Sequence, residues 1–189
     1  MAKGWIERVS IRNDVSEILY TEEKLQEIVQ AMGRRITEDY QGKNLFLVSV
    51  LKGSLIFMAD LMRAIDLPCA IDFLSVSSYG AGTTTSGEVR ILKDLDSTLE
   101  GRDVLVVEDI LDSGVTLSFL LKNLSARQPR SIRLCTLLDK PERRKVDIRP
   151  DYVGAVVPDE FIVGYGLDYA EKYRNLPFVG TLQPHVYSN

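Results

Sequence analysis

The chain has 189 residues, which is enough for one domain with a hydrophobic core and a small appendage. Apolar residues make up 45% of it and charged residues 26%, as in water-soluble globular proteins. The net charge of −4 argues against nonspecific nucleic-acid binding, which needs a basic surface, although residues 143–145 form a short basic run. No apolar stretch is long enough to span a membrane, and the amino-terminal residues lack the apolar core of a secretory signal. We therefore expect a cytoplasmic protein.

Cysteine and histidine are scarce. Cys69 and Cys135 both fall in predicted strands among apolar neighbours, so we expect two small buried side chains rather than a disulfide. His185 stands close to the carboxyl-terminal residue, where a frayed tail is expected. So few thiol and imidazole groups make a structural zinc site improbable.

The first half of the chain predicts helices alternating with strands. Thr21 is a predicted helix cap, and apolar residues follow on one helical face at positions 25, 28, 29, 32 and 36. After a break at 41–44, the pattern predicts a buried strand over 45–51, a tight turn over 52–54 and a helix over 55–65. A second strand is predicted over 69–76. The polar segment 77–90 holds three glycines and seven hydroxyl-bearing residues, which predicts a mobile lid or a long hairpin.

The run 104–116, VLVVEDILDSGVT, is the most informative part of the sequence. Residues 104–107 predict a buried strand, and the leucines at 117, 120, 121 and 124 predict an amphipathic helix. Between them lie two acids, Glu108 and Asp109, and a loop over 112–116 that is rich in polar groups. Loops at the carboxyl ends of parallel strands are where open α/β sheets bind ligands.

Three further strands are predicted over 131–138, 152–157 and 178–182, with a polar loop over 139–144. Alternating strands and helices predict the α/β class, with a central, mostly parallel sheet flanked by helices. The ends of the chain, about 1–20 and 150–189, are less regular and are expected to form a small hood on a single domain spanning 1–189.

The residues of the central run suit a phosphorylated sugar. Adjacent carboxylates such as Glu108 and Asp109 can accept hydrogen bonds from vicinal hydroxyls or bind near Mg²⁺; otherwise one caps the helix and the other is solvated. The loop over 112–116 offers backbone N–H groups, a glycine and two hydroxyls to a phosphate, although an ordinary capped helix would look similar. Neither GxxxxGK[ST] nor GxGxxG occurs, so the common nucleotide-binding loops are not predicted.

The run 104–116 resembles the signature of the type I phosphoribosyltransferases, and the Glu-Asp pair resembles the branch that acts on 6-oxopurines such as hypoxanthine. Four other segments resemble that branch in the same order. They are the turn 51–53 (LKG), Ser78-Tyr79 of a catalytic lid, and the base-recognition segments 138–140 (LDK) and 158–169 (PDEFIVGYGLDY). The resemblance covers roughly residues 9–182. Val115 occupies a position that varies in the family, where a backbone N–H would suffice.

The resemblance implies a role for each of these residues. Asp112 would handle the proton of the base, Lys52, Gly53 and Arg174 would bind pyrophosphate, and Ser78 and Tyr79 would belong to the lid. The ribose and 5-phosphate would be held by Glu108, Asp109, Ser113, Gly114, Val115 and Thr116. The base would be bound by Lys140, Phe161, Ile162 and Asp168, and Mg²⁺ would lie near Glu108, Asp109 and Asp168.

The implied function is purine salvage. The enzyme would transfer 5-phosphoribosyl from phosphoribosyl pyrophosphate to N9 of hypoxanthine or guanine, as a homodimer or homotetramer with no nucleic-acid or membrane partner. Two alternatives remain open at this point. One is a related enzyme that prefers xanthine, and the other is a nucleotide-sensing, RNA-binding regulator with the same fold.

Overall fold

The computed structural model describes residues 10–78 and 89–188, without the side chain of Ser78. Nine strands and four helices are found in these two ranges. Short 3₁₀ turns lie at Ile11–Asp14 and Pro141–Arg143. The strands are β1 Val15–Tyr20, β2 Leu45–Leu51, β3 Ala70–Ser78, β4 Val89–Lys93, β5 Asp103–Leu111, β6 Ser131–Asp139, β7 Tyr152–Val156, β8 Ile162–Val163 and β9 Val179–Leu182. The helices are α1 Glu22–Asp39, α2 Leu55–Ala64, α3 Val115–Ser125 and α4 Pro184–Tyr187.

Six strands form the main sheet, in the order β4-β3-β2-β5-β6-β7. All neighbours are parallel except β3 and β4, which pair antiparallel. The central strands β2 and β5 are apolar on both faces, as expected where helices cover a parallel sheet on each side. The predicted α/β fold class with a mostly parallel, helix-flanked sheet is therefore confirmed.

The core around the main sheet consists of two layers because successive side chains of a strand point to opposite faces. Leu45 and Leu47 of β2 pack in one cluster with α1 and α2, while Phe46 and Val48 pack in another with α3. Helix α1 begins as predicted, with Thr21 Oγ1 accepting a hydrogen bond from the backbone N–H of Lys24. These two layers fix the carboxyl ends of β2, β5 and β6 at one edge of the sheet.

A second sheet has three antiparallel strands in the order β1-β9-β8. We call it the chain-end sheet, since its strands come from near both ends of the chain. Strand β7 falls within the range expected for the hood, but it pairs with β6 in the main sheet instead. His185 also differs from expectation. It is exposed, as a tail residue would be, but it lies in the one-turn helix α4.

Two strand boundaries differ from the sequence prediction. Strand β5 does not end at Val107 but continues to Leu111, because its pairing with β6 extends as far as Leu111 opposite Asp139. Strand β3 begins at Ala70, where pairing with β2 begins, so the half-buried thiol of Cys69 lies just outside it. Both cysteines are free, and burial raises the pKa of the Cys135 thiol.

The polar segment 77–90 is flanked by paired strands. Ser77 and Ser78 of β3 lie opposite Arg90 and Val89 of β4, which are the arms of an antiparallel hairpin. The predicted lid residue Tyr79 lies outside the described residues, as does the side chain of Ser78. Among the helices of 10–78 and 89–188, none has both the length and the apolarity needed to cross a bilayer.

Candidate active site

A cavity of about 330 Å³ opens at the carboxyl ends of β2 and β5. The acids of β5 form one side of it, the turn after β2 forms another, and the start of α3 lies beneath. We call it the signature cavity. Its polar lining comes from Lys52, Gly53, Glu108, Asp109, Asp112, Ser113, Gly114, Thr116, Asp168 and Arg174. Residues 52 and 174, far apart in sequence, thus meet at one site.

A second cavity of about 330 Å³ adjoins the first, and we call it the aromatic cavity. Asp112, Asp168 and Ile110 line both cavities, so the two open onto a common boundary. The remaining lining residues are Lys140, Arg143, Asp159, Glu160, Phe161, Ile162, Leu167 and Tyr187. The boundary at Asp112 is where groups bound in the two cavities would meet.

The start of α3 lies beneath the signature cavity. Gly114 precedes the helix with φ +78, a conformation that favours glycine, and Val115 is the first helical residue. Ser113 Oγ accepts a hydrogen bond from the N–H of Val115 at 3.4 Å, and Gly114 closes the turn against Ile148. A helix start with its N–H groups and two nearby hydroxyls suits an anion such as a phosphate.

The negative charges of the acids in the signature cavity are poorly offset by neighbouring groups. Burial raises the pKa of Asp109 to about 6, and burial together with the charge of Asp109 raises the pKa of Glu108 well above its usual value. One carboxylate oxygen of Glu108 and one of Asp112 are buried without a hydrogen-bond partner among the described residues. Buried polar atoms without partners are uncommon in native proteins, so these two carboxylates are candidates for binding a cation or a hydrogen-bond donor.

The cations of the signature cavity come from two elements. Lys52 follows β2, after a cis peptide bond at Leu51–Lys52. Arg174 lies in the loop before β9, where it donates to the carbonyl of Gly166 at 2.8 Å and pairs with Asp168 at 2.8 Å. The Nε atom of Arg174 is buried without a partner among the described residues. A group with several negative charges would satisfy both cations.

Lys140 and Phe161 give the aromatic cavity its chemistry. The side chain of Lys140 is buried, and its Nζ donates to the carbonyl of Glu160 at 2.8 Å, leaving two N–H donors for a ligand. Burial lowers the pKa of Lys140. The Phe161 ring contacts Tyr169 edge to face at 5.2 Å and stacks on Tyr187 at 5.1 Å. The cavity is thus suited to a flat ring that carries a hydrogen-bond acceptor.

A model of the phosphoribosyl transferase domain matches residues 14–170. The chain belongs to the phosphoribosyltransferase family. It is 55% identical over 179 residues to a hypoxanthine-guanine phosphoribosyltransferase of Staphylococcus aureus, covering 95% of this chain and 100% of that protein. A crystal structure of a hypoxanthine phosphoribosyltransferase from the same species superposes with a TM-score of 0.92 at 54% identity, over 97% of this chain and 100% of that one.

Another relative is a longer protein than the present chain. The bifunctional protein TilS/HprT of Listeria monocytogenes is 55% identical over 179 residues, and the match covers 95% of this chain. The chain spans 28% of the length of that protein.

Several site residues were not singled out from the sequence. Arg144 donates to the carbonyls of Leu111 and Asp112 and pairs with Asp139, so it holds the signature loop against β6. Arg143 pairs with Asp159 in the aromatic cavity. The sequence had shown these arginines only as a short basic run. Asp159 and Phe161, the partners of Arg143 and Tyr187, lie too far along the chain for spacing to have revealed them. Asp139 lies close to Arg144 but gave no signal, because residues 139–144 all look like a polar loop.

Two glycines allow the segments around the site to pack closely together. A methyl group on Gly53 would overlap a carboxylate oxygen of Asp109, and one on Gly166 would overlap the carbonyl oxygen of Gly53. Gly166 also has φ +103, which disfavours any other residue. The turn after β2 is therefore packed between β5 and the segment that leads toward the chain-end sheet.

We expect Gly166→Ala to lower the free energy of unfolding by about 2–4 kcal/mol, since both the backbone conformation and the clash with Gly53 oppose it. Gly42→Ala is the matched control. Gly42 has a positive φ of 72, but no atom lies within 4 Å of the added methyl group, so that variant should lose only about 1 kcal/mol. Urea unfolding of both variants measures the difference. Equal losses would show that the contact with Gly53 carries no energy.

Carboxylates are the candidate ligands for Mg²⁺ in the signature cavity. In the described part of the chain, no group of three or more Asp, Glu, His or Cys side chains is arranged to hold a metal ion. Mg²⁺ often binds through one or two carboxylates, with water and substrate oxygens completing its shell. The pair Glu108 and Asp109, buried with raised pKa values, fits that mode, because a cation would favour their ionised forms.

Proposed function

We propose that the protein transfers a 5-phosphoribosyl group from phosphoribosyl pyrophosphate to N9 of hypoxanthine or guanine, giving a nucleoside monophosphate and pyrophosphate in purine salvage. The observation that carries this proposal is the pair of cavities that share Asp112 at their boundary. A sugar donor in one and a base in the other would bring C1 of the ribose and N9 of the purine together at that boundary.

The signature cavity holds the sugar donor. The loop Asp112–Thr116 and the start of α3 bind the 5-phosphate, and Glu108 and Asp109 accept hydrogen bonds from the ribose hydroxyls. Lys52, the backbone at Gly53 and Arg174 bind the pyrophosphate group. Glu108, Asp109 and Asp168 would hold Mg²⁺ beside that group, and its positive charge would stabilise pyrophosphate as the leaving group.

The aromatic cavity holds the purine. Phe161 stacks on the ring, and the backbone of Ile162 faces the 2-position. The ammonium of Lys140 donates to the 6-oxo group, which only accepts there. The 6-amino group of adenine offers hydrogens where an acceptor is needed, so adenine leaves the Lys140 donors unsatisfied. A site built around such a donor rejects adenine.

The transfer needs one proton acceptor. As N9 bonds to C1 of the ribose, pyrophosphate leaves with the electron pair of the C1–O bond, and the base loses a proton. Asp112, which lines both cavities at their boundary, accepts that proton near N7. The lid that contains Ser78 and Tyr79 excludes water, which would otherwise hydrolyse the activated sugar.

The relatives favour this enzyme over the two alternatives. The Staphylococcus aureus relative at 55% identity is named for hypoxanthine and guanine rather than xanthine. Against an RNA-binding regulator, two of the three residues of the basic run, Arg143 and Arg144, pair with the carboxylates of Asp159 and Asp139. We also propose that the chain acts as one domain in the cytoplasm, as a homodimer or homotetramer.

The function is tested by nucleotide formation. The purified protein is incubated with phosphoribosyl pyrophosphate, Mg²⁺ and, in parallel, hypoxanthine, guanine, xanthine or adenine. We expect the first two bases to react fastest, and omission of Mg²⁺ to abolish turnover. Faster reaction with xanthine would support the alternative enzyme. If no base reacts, binding of RNA across a range of salt concentrations tests the regulator.

We expect Lys140→Ala to lower kcat/KM for hypoxanthine by about 10- to 100-fold, the value of a lost hydrogen bond from a charged donor. The same change should leave the much slower reaction with adenine within about twofold, so discrimination falls. Lys145→Ala is the matched control, because Lys145 is exposed in the same loop and lines neither cavity. An unchanged ratio between the two bases in Lys140→Ala would reject the donor role.

A further inference from the structure

Glu171 lies against the two cations of the signature cavity. Lys52 Nζ donates to one of its carboxylate oxygens at 3.1 Å, and the guanidinium of Arg174 lies 3.6 Å from the other. Both cations are the ones expected to bind the pyrophosphate group of the donor. Glu171 itself does not line either cavity. Its carboxylate therefore reaches Lys52 and Arg174 from the side.

The backbone around Glu171 is held in an unfavourable conformation. Ala170, Glu171 and Tyr173 have φ values of 49, 62 and 76, in the left-handed region that glycine usually occupies. The N–H of Glu171 donates to a carboxylate oxygen of Asp168 at 2.9 Å, and Tyr169 and Lys172 exchange backbone hydrogen bonds. Strained backbone of this kind persists where surrounding contacts impose it, often at functional sites. The loop thus directs the carboxylate of Glu171 toward the cations.

A bound anion can replace the carboxylate of Glu171 as the partner of Lys52. Both side chains are about two-thirds exposed, at 64% and 67%, so neither is locked by packing. The hydrogen bond from Lys52 lowers the pKa of Glu171, which keeps the carboxylate ionised. Arg174 is held separately by Asp168 and Gly166. A ligand with more negative charge than one carboxylate can therefore displace Glu171 while Arg174 keeps its contacts with Asp168 and Gly166.

We propose that Glu171 is an internal anion that competes with the pyrophosphate group for Lys52 and Arg174, and so limits the affinity of the site for pyrophosphate. This inference rests on the proposed function. When the donor binds, its pyrophosphate replaces the carboxylate; after transfer, the carboxylate recovers Lys52 and favours release of pyrophosphate. Glu171 is thus a residue that sets affinity by charge, without touching the reacting atoms.

The test measures binding of inorganic pyrophosphate by calorimetry, with no purine present. We expect Glu171→Gln to lower the Kd by about two- to fivefold, the range for exposed ion pairs, and the gain to shrink as salt rises. Glu17→Gln is the matched control, because it removes an exposed carboxylate of β1 that lines neither cavity. Its Kd should equal that of the parent protein.

A double variant separates competition from a structural role. If Glu171 acts through Lys52, the gain from Glu171→Gln should become smaller in a Lys52→Gln background, whereas an effect on folding of the loop would remain. Unchanged or weaker binding in Glu171→Gln, or an equal gain in both backgrounds, overturns the inference. A parent protein that binds no pyrophosphate contradicts the proposed function itself. Binding by the parent with no gain in Glu171→Gln contradicts this inference alone.

Discussion

Asp112→Asn should lower kcat for nucleotide formation by about 10²- to 10⁴-fold, which is the usual contribution of a positioned general base. The amide keeps the size of the side chain but cannot accept the proton that the base loses near N7. The KM for phosphoribosyl pyrophosphate should change little, since the donor is held mainly by other groups of the signature cavity. Steady-state kinetics with hypoxanthine, at saturating donor, measures both constants.

The control for this variant is Asp147→Asn. Asp147 is almost fully exposed and lines neither cavity, so kcat should stay within about twofold of the parent value. A kcat for Asp112→Asn within tenfold of the parent would contradict the proton-accepting role. The position of Asp112 between the two cavities would then have to serve binding alone.

Asp109→Asn should stabilise the metal-free protein by up to about 3 kcal/mol at pH 7.5, while it lowers phosphoribosyl transfer. Burial raises the pKa of Asp109 to about 6, against about 4 in an unfolded chain. The folded protein therefore holds this proton more tightly than the unfolded one, and ionising Asp109 above pH 6 costs stability. The gain in Asp109→Asn should shrink as the pH falls from 6 to 4. Urea unfolding with a chelator present measures it.

Asp103→Asn is the matched control, on the same strand. Asp103 is also buried, but hydrogen bonds from Arg130, Ser131 and Asn44 outweigh the effect of burial and hold its pKa below the usual value. Its contribution to stability is therefore present above pH 4, so the amide should destabilise the protein at pH 7.5. If Asp109→Asn also destabilises the protein, hydrogen bonds offset the cost of burial at both carboxylates and not only at Asp103. Activity that survives in Asp109→Asn would exclude its role at the ribose.

The order of elements could be predicted because apolar periodicity decides it. Strand β2 follows from its continuous apolar run and helix α1 from its helical spacing, and the observed segments match within one or two residues. The end of β5 could not be predicted, because Glu108 and Asp109 look like a loop although their backbone pairs with β6. Tertiary pairing overrode the local polarity in this case.

The site residues also differ in whether the local sequence reveals them or whether they depend on partners far along the chain. The loop over 112–116 stands out as a local sequence pattern, whereas Lys140 is indicated only by the family resemblance; the structure brings both to adjoining cavities. Glu171 and Tyr187 depend on partners that lie 119 and 26 residues away, at Lys52 and Phe161. The left-handed backbone at Glu171 also gives no signal in a sequence without glycine at that position.

The approach of Gly166 to the carbonyl of Gly53 joins the turn after β2 to the segment that leads into the chain-end sheet. A ligand that orders the turn therefore also restrains that segment. Amide hydrogens of β9 should exchange with solvent more slowly once the donor is bound, although β9 does not line the signature cavity. By linkage, substitutions that loosen β1 or β9 should weaken donor binding from a distance.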